Sequence, residues 1–562
     1  MRPREYGLLF AAGLLVVGLV AAFLPVPGYM DAEYYFATGQ RLAAGQGFSE
    51  PFLWNYLDNP QGLPHPSHAY WLPLTSLFAA AGMKLGGSLT FHAAQIGFVL
   101  VAALLPPLTA ALANALTRSV SSARLAGILS IFSFFYLPFL PTTDTFALYM
   151  FLGGGLLLLL TVNRLKKTGS SPNKNFVEPS IAAPENQPRR HKHIKNDFTP
   201  LVSWCLRGEK YIWIRSVTFG LISALMYLSR ADGLLWLLIA LLALNLTLKV
   251  RRVRYSLALL AGFSLLALPW MLRNYSIWGT PFSPGGSAAL WFTNYDQLFI
   301  FPASQVSFAH WLQSGLDAIV KARLWALGQN LQTALAVQAE IFLAPLILLG
   351  AWRLRHQPTV QVGLLAWVLT LAAMTLVFPF AGARGGFFHS GAAVQTLFWA
   401  LAAAGLDVFL EWGVRVRHWS PQVSRSVFFS AILGFAALLS VYSVGGRVLG
   451  LGYKNQPWGA GQTAYIQLQD QFQRLEIPIE TVILVNNPPG FYLASQRPAI
   501  VIPDGNVDTL LSVAERFGAQ IVLVEANHPH GLDALYDNPI AYSQFELLWS
   551  DGINHILRIA DE

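Results

Sequence analysis

Eleven apolar runs, most of them long enough to cross a bilayer, constrain this chain more than any other feature. They are Leu8–Leu24, Phe91–Leu116, Leu125–Leu140, Thr145–Val162, Trp213–Ser229, Leu234–Leu248, Leu257–Leu272, Ile341–Trp352, Val362–Phe380, Ala392–Leu410 and Val427–Val444. About 20 helical residues span the hydrocarbon, and fewer suffice where the bilayer is thin or protein surrounds the helix. Lipid offers backbone groups no partner, so such runs fold as helices. The composition agrees, with 54% hydrophobic residues, 12% charged ones and a mean hydropathy of +0.46. The expected fold is an all-α polytopic membrane bundle over 1–450, followed by a small α/β domain over 451–562.

The formal charge of +8 excludes little by itself, but its distribution is informative. Of the 37 Lys and Arg, 24 fall in six alternate places: Arg2 and Arg4, Arg118 and Arg124, the Arg164–Arg215 segment, Lys249–Arg254, Arg353 with Arg355, and Arg415–Arg425. Positive loops collect on the cytoplasmic side. The pattern therefore reports topology in a plasma-membrane protein and no nucleic-acid partner. It puts the N-terminus in the cytoplasm and the C-terminal domain outside. Segment 70–86 is apolar enough to suggest a further span, which would reverse all later basic loops. We read it as an outer juxtamembrane helix. The first run resembles a signal peptide in its small residues, but cleavage would leave Asp31 almost at the new N-terminus, so an uncleaved anchor is expected. The single Cys205 excludes an intramolecular disulfide.

Four non-membrane pieces follow. Residues 25–90 form a long first outer loop rich in Trp, Tyr, His and Pro. Residues 163–212 include a Pro-rich polar stretch without periodicity, expected to be disordered, whose "RRHKHIK" cluster suits anionic headgroups. Residues 275–338 carry apolar positions at helical spacing and read as an outer interfacial segment. Beyond 451, "TVILV", "PAIVI" and "AQIVLVE" read as buried strands, "VDTLLSVAERFG" as a capped helix, and "FELLWSDGINHILRI" as a hairpin.

Ionisable residues at a membrane edge are costly and so are candidate functional groups. Here they gather at one end of the spans. Asp31 and Glu33 follow the first run, and Asp144 follows the third. Arg230 and Asp232 occupy the turn between the fifth and sixth. Arg273 and Asn274 end the seventh, and Arg384 and His389 lie between the ninth and tenth. A carboxylate within reach of a hydroxyl can take its proton. Fixed Arg and His donors can hold a departing phosphate. Together they suit group transfer from a phosphate-activated lipid to a hydroxyl. No GxxxxGK[ST], HExxH or strand-linked GxGxxG motif is present.

"DAEYY", followed by "RLAAGQGF" and "HPSHAYWLPL", resembles the first outer loop of GT-C glycosyltransferases. More narrowly, it resembles the protein mannosyltransferase, aminoarabinose transferase and RgtA/B/C/D-like group. "LPTTDTFALYMF", "LSRADGLLWLL", "PWMLRNYSIWGTPFSP" and "RGGFFHSGAA" extend the likeness over most of residues 1–450. The resemblance implies a glycosyltransferase that moves a hexosyl or pentosyl unit from a polyprenyl-phosphate donor to a hydroxyl acceptor, with inversion. It implies Asp31 as the acceptor-activating base, with Glu33 and Asp144 as further acids. Arg384, His389 and Arg273 are the candidates for the donor phosphate; His65 or His68 stands where many relatives have a basic residue. Tyr34, Tyr35, Arg230, Asp232 and Asn274 are the substrate-binding candidates. No cofactor is required, and the relaxed DxD of Asp31 and Glu33 leaves a divalent metal open.

Simpler roles compete at each position. Asp31 could be a solvated acid at a helix end, and Asp144 could cap the helix that begins at Thr145. Arg230 and Asp232 could brace their own turn, and Arg273 could snorkel to the interface. At the level of function, a transporter or flippase predicts polar residues within the spans, whereas these spans are almost free of charge. A catalytically inactive scaffold is the remaining alternative.

Overall fold

The computed structural model describes residues 1–161, 209–247, 252–452 and 456–560. Residues 163–208 of the loop expected to be disordered, Cys205 among them, lie outside those residues, whereas its last residues, 209–212, are helical. Among the described residues, seven helices are long and apolar enough to cross a membrane, and four shorter apolar helices accompany them. The main helices are α1 (Pro3–Ala22), α2 (Met30–Ala43), α3 (Leu74–Gly86), α4 (Phe91–Thr117), α5 (Val120–Ile131), α6 (Phe146–Thr161), α7 (Glu209–Ser229), α8 (Gly233–Thr247) and α9 (Arg252–Trp278). They continue as α10 (Gly315–Thr333), α11 (Ala344–Leu354), α12 (Pro358–Ala372), α13 (Gln395–Arg417) and α14 (Pro421–Arg447). Each of the eleven runs falls on one of these elements.

The third run departs from the expected single span. Helix α5 stops at Ile131, and residues 132–145 follow an irregular path. Pro138 and Pro141 lack the N–H that would close the next helical turns, and each disfavours helix at the residue before it. The irregular path passes Asp144 just before α6 begins at Phe146.

Helix α2, near the start of the 25–90 loop, packs against α3, and α3 packs against α4. The 13 residues of α3 reach about 20 Å, short of a hydrocarbon core about 30 Å thick. Close approach is built in at Gly82, where a Cβ would lie 2.7 Å from the Ala93 carbonyl oxygen.

The C-terminal part contains α15 (Ala460–Arg474), α16 (Pro488–Ser495) and α17 (Val507–Phe517), with Gly518 in the left-handed conformation that ends α17. Its strands are β4 (Val482–Val485), β5 (Ala499–Val501), β6 (Ala519–Val524), β7 (Phe545–Ser550) and β8 (His555–Ile559). Ile483, Leu484 and Val485 are all buried, as expected of a parallel strand covered on both faces. The sheet does not stay within 451–562. Among β1 (Ser49–Glu50), β2 (Phe52–Leu53) and β3 (His65–Pro66) of the 25–90 loop, β2 lies parallel to β5, pairing Phe52 with Ala499 and Leu53 with Ile500. The order is β2-β5-β4-β6-β8-β7. The loop thus covers an edge that would otherwise present unpaired backbone groups.

Candidate active site

The loop over 25–90, the 282–299 segment and the turns after α7 and α12 converge on one cavity of about 620 Å³. Asp31 enters it from the first turn of α2, and Tyr35, one helical turn later, shares that face. Arg230, Asp232, Tyr295, Arg384 and His389 supply polar lining, and Leu234, Leu235, Met374 and Phe378 supply apolar lining.

Asp144 sits at the back, 1% exposed. Its Oδ1 accepts the Thr145 N–H at 2.5 Å, just before α6 begins at Phe146. Its Oδ2 accepts the Tyr29 hydroxyl at 2.6 Å and lies 3.0 Å from His389 Nε2. Thr143 donates to the Ala32 carbonyl at 2.8 Å, which ties this segment to α2. Asp31 Oδ2 lies 3.8 Å from the same His389 Nε2, with its side chain 32% exposed.

His389 is held on three sides. Its ring stacks on Phe146 with centroids 4.1 Å apart. Its Nδ1 lies 2.9 Å from the Gly385 carbonyl oxygen. A carbonyl only accepts, so Nδ1 carries the proton and Nε2 points toward the two acids. Gly385 adopts φ +125°, a region that side chains rarely enter, to present that carbonyl.

Arg230 and Asp232 pair at 2.9 Å, the turn-bracing role open in the sequence. They also face the cavity: Tyr149 donates to Asp232 at 2.8 Å, and Arg230 reaches the Ser390 hydroxyl at 3.4 Å. The Arg384 guanidinium lies 4.8 Å over the Tyr295 ring. It has no ion pair among the described residues, so its donors are free for an anion.

The electrostatics separate the two acids. Burial, followed by the negative charge of Asp144, pushes the Asp31 carboxyl up to about 6. Its open side lets cavity water temper that push. Burial also opposes ionisation of Asp144, but the His389 ring and the Tyr29 and Thr145 hydrogen bonds outweigh it and hold this carboxyl below the usual range. Asp144 is therefore the fixed charge of the pair, and Asp31 the acid poised nearer neutrality.

A divalent cation fits this cluster. One ligand atom from each of Asp31, Asp144 and His389 lies within 4.8 Å of the others. With Nδ1 protonated, Nε2 offers a lone pair to two acceptor oxygens. That arrangement needs a shared proton or a cation, and two carboxylates with an imidazole suit a borderline divalent ion.

Several residues singled out from sequence are not brought to the cavity. Glu33 points to the C-terminal part, where its Oε2 accepts the Asn487 side chain at 2.7 Å. Burial, eased by that bond, pushes it up to about 7. Tyr34 is buried and its hydroxyl accepts the His68 N–H at 2.7 Å. The His68 ring is engaged by Ser67 at 2.8 Å and Ser76 at 3.0 Å. His65 lies between Asp58 at 2.8 Å and Glu50 at 3.5 Å. Neither histidine can offer a free nitrogen to a phosphate. Arg273 stacks 4.5 Å from Trp270 and donates to the Ser67 carbonyl at 3.0 Å, bracing the loop. Asn274 is wholly buried beside it. Conversely, Tyr29, Tyr149 and Tyr295 serve the site but were not singled out; Tyr29 lies two residues before Asp31, the one local signal available.

No family profile matches the chain, and no curated protein matches it in sequence. Solved structures do share its fold. The Archaeoglobus fulgidus oligosaccharyltransferase AglB, in complex with an inhibitory peptide and a dolichol-phosphate, is 13% identical with a TM-score of 0.54, covering 92% of this chain and 69% of that one. The same organism's oligosaccharyltransferase complexed with Zn and sulfate gives 13% and 0.55, covering 97% and 72%. ArnT from Cupriavidus metallidurans bound to undecaprenyl phosphate gives 11% and 0.53, covering 99% and 98%. The chain thus has the GT-C type of membrane fold that the sequence resemblance led us to expect.

Proposed function

We propose that this protein is a membrane glycosyltransferase that moves a sugar from a polyprenyl-phosphate donor to a hydroxyl acceptor at the outer membrane face, with Asp31 as the general base. The observation that carries this reading is the presence of Asp31, Arg384 and Arg230 in the lining of one cavity whose wall also holds many apolar residues. The apolar lining suits a polyprenyl chain, and the arginines suit its phosphate. The acceptor oxygen attacks the anomeric carbon while the bond from that carbon to the phosphate oxygen breaks. The hydroxyl proton passes to Asp31, polyprenyl phosphate leaves, and the anomeric configuration inverts. Asp144 and Tyr29 keep His389 oriented, and Tyr35 shares the Asp31 face. A divalent ion, held by Asp31, Asp144 and His389, would add positive charge where the phosphate departs.

A transport path through the spans finds little support. Glu340 is a buried acid inside the bundle, but its Oε1 accepts the Trp399 indole N–H at 2.7 Å, and a single paired acid does not make a path.

Purified protein in nanodiscs, given a polyprenyl-phosphate sugar and a hydroxyl acceptor, should release polyprenyl phosphate only when both substrates are present. Release that ignores the acceptor, or transbilayer movement of the donor without bond cleavage, contradicts the proposal. Topology reporters after Gly87 and after Arg124 should read outside and inside respectively; the reverse order removes the outer-face assignment.

A further inference from the structure

A second pocket lies at the opposite end of the bundle. Helices α11 and α13 touch backbone to backbone where Gly350 meets Gly405: a Cβ on Gly350 would overlap the Leu401 carbonyl oxygen, and one on Gly405 the Leu346 carbonyl oxygen. Only glycine fits that crossing. Beyond it the side chains are large, with Trp352 and Arg353 on α11, and Glu411, Trp412 and Arg415 on α13. They enclose a pocket of about 500 Å³, completed by Arg355, His356 and two valines. The stretch of α13 from Gln395 to Val408, about 20 Å of helix, separates it from the His389 end.

Three arginines face one glutamate here. Arg353 approaches Glu411 only to 4.0 Å, a separation that leaves its guanidinium donors available. Arg415 makes no ion pair among the described residues. Arg355 lies 4.1 Å over the Trp352 ring and donates to the Trp352 carbonyl at 2.7 Å, which fixes its direction. Trp352 and Trp412 are 67% and 45% exposed, as indoles at a membrane–water boundary are.

We propose that this pocket binds the headgroup phosphate of an anionic glycerophospholipid from the leaflet opposite the Asp31 cavity. The planar guanidinium forks match phosphate oxygens in pairs. The two indoles and the valines flank the glycerol and the first acyl carbons, where an amphipathic ring is favoured. Basic pockets between transmembrane helices on the cytoplasmic side suit such headgroups. Arginines that merely marked sidedness would need neither the concave wall nor the paired indoles.

The test is native mass spectrometry of the full chain, released from detergent with equal amounts of phosphatidylglycerol and phosphatidylcholine of matched acyl chains. The parent should retain phosphatidylglycerol preferentially. Arg353→Gln/Arg355→Gln/Arg415→Gln together should bring retention to the phosphatidylcholine level, with donor turnover unchanged. Arg415→Gln alone, at an exposed side chain, should cost about fivefold in the preference, and it carries the comparison if the triple variant does not fold. Excess inorganic phosphate should not displace the lipid. Equal retention of the two lipids by the parent, an undiminished preference in the variants, or displacement by free phosphate would each overturn the proposal.

Discussion

Two clusters in this molecule hold the same parts, two carboxylates and a histidine, and differ in how the ring is used. At His65, Asp58 faces Nε2 and Glu50 faces Nδ1, with all three side chains 5% exposed or less. The ring bridges its acids, so the three donors point along a line and close the site. At His389 both acids face Nε2, while a backbone carbonyl takes Nδ1. The donors converge on one point, and Asp31 opens that point to the cavity. The first arrangement can only staple a loop; the second can receive a ligand. Residue type alone does not distinguish them.

Exchanging the two histidines' roles by mutation should expose the difference most strongly. His389→Gln should lower transfer by about 10²-fold, because the acids lose the group that organises them. The change in melting temperature should be smaller than for His65→Gln. That second variant leaves two buried acids without their cation, a loss on the order of 3 kcal/mol, seen in thermal melting of the detergent-solubilised protein. Equal melting shifts for the two variants would erase the distinction.

A pH series sharpens the same contrast. Burial opposes the charge on His65, but Asp58 and Glu50 outweigh it and push the ring up to about 9. A folded value raised above the unfolded one gives stability fully present below about pH 6.5. That stability is lost as the pH rises toward 9. The parent should therefore melt progressively lower between those limits, and His65→Gln should show a flatter profile. An identical slope in both would place the charge elsewhere.

Smaller effects belong to the cavity wall. Arg384→Lys keeps the charge and loses the fork, so kcat/KM for the donor should fall by about tenfold, with Arg384→Ala lower still. Parent-level values for both would move the phosphate contact away from Arg384. At Gly385, alanine must adopt φ +125° or withdraw the carbonyl from His389; a several-fold loss of turnover is expected, with donor KM little changed.

Much of this architecture was legible because lipid permits few solutions. Ten of the eleven runs are helical over most of their length, the third only as far as Ile131, and the buried strands β4, β5 and β6 announce themselves as continuous apolar stretches. What was not legible depends on contacts distant in sequence. Strand β2 has two residues, and its partner β5 lies at the other end of the chain. Asp31 and Glu33 look equivalent in "DAEYY", yet residues two apart on a helix point about 200° apart. Once 30–43 is helical, one acid meets the cavity and the other Asn487. Asp144 and His389 were found from their positions at span ends, but only the fold shows that Asp144 and Asp31 share the His389 Nε2. His65 and His68 looked like phosphate ligands because sequence does not reveal that Glu50, Asp58 and the serines occupy them.

Turnover of Asp31→Asn tests the central claim most directly. Asparagine keeps the shape of the side chain and removes its basicity. Purified variant with parent-like melting should transfer sugar at least about 10²-fold more slowly, while still binding the polyprenyl-phosphate donor. Transfer at the parent rate by the folded variant would contradict Asp31 as the base and the cavity as the place of reaction.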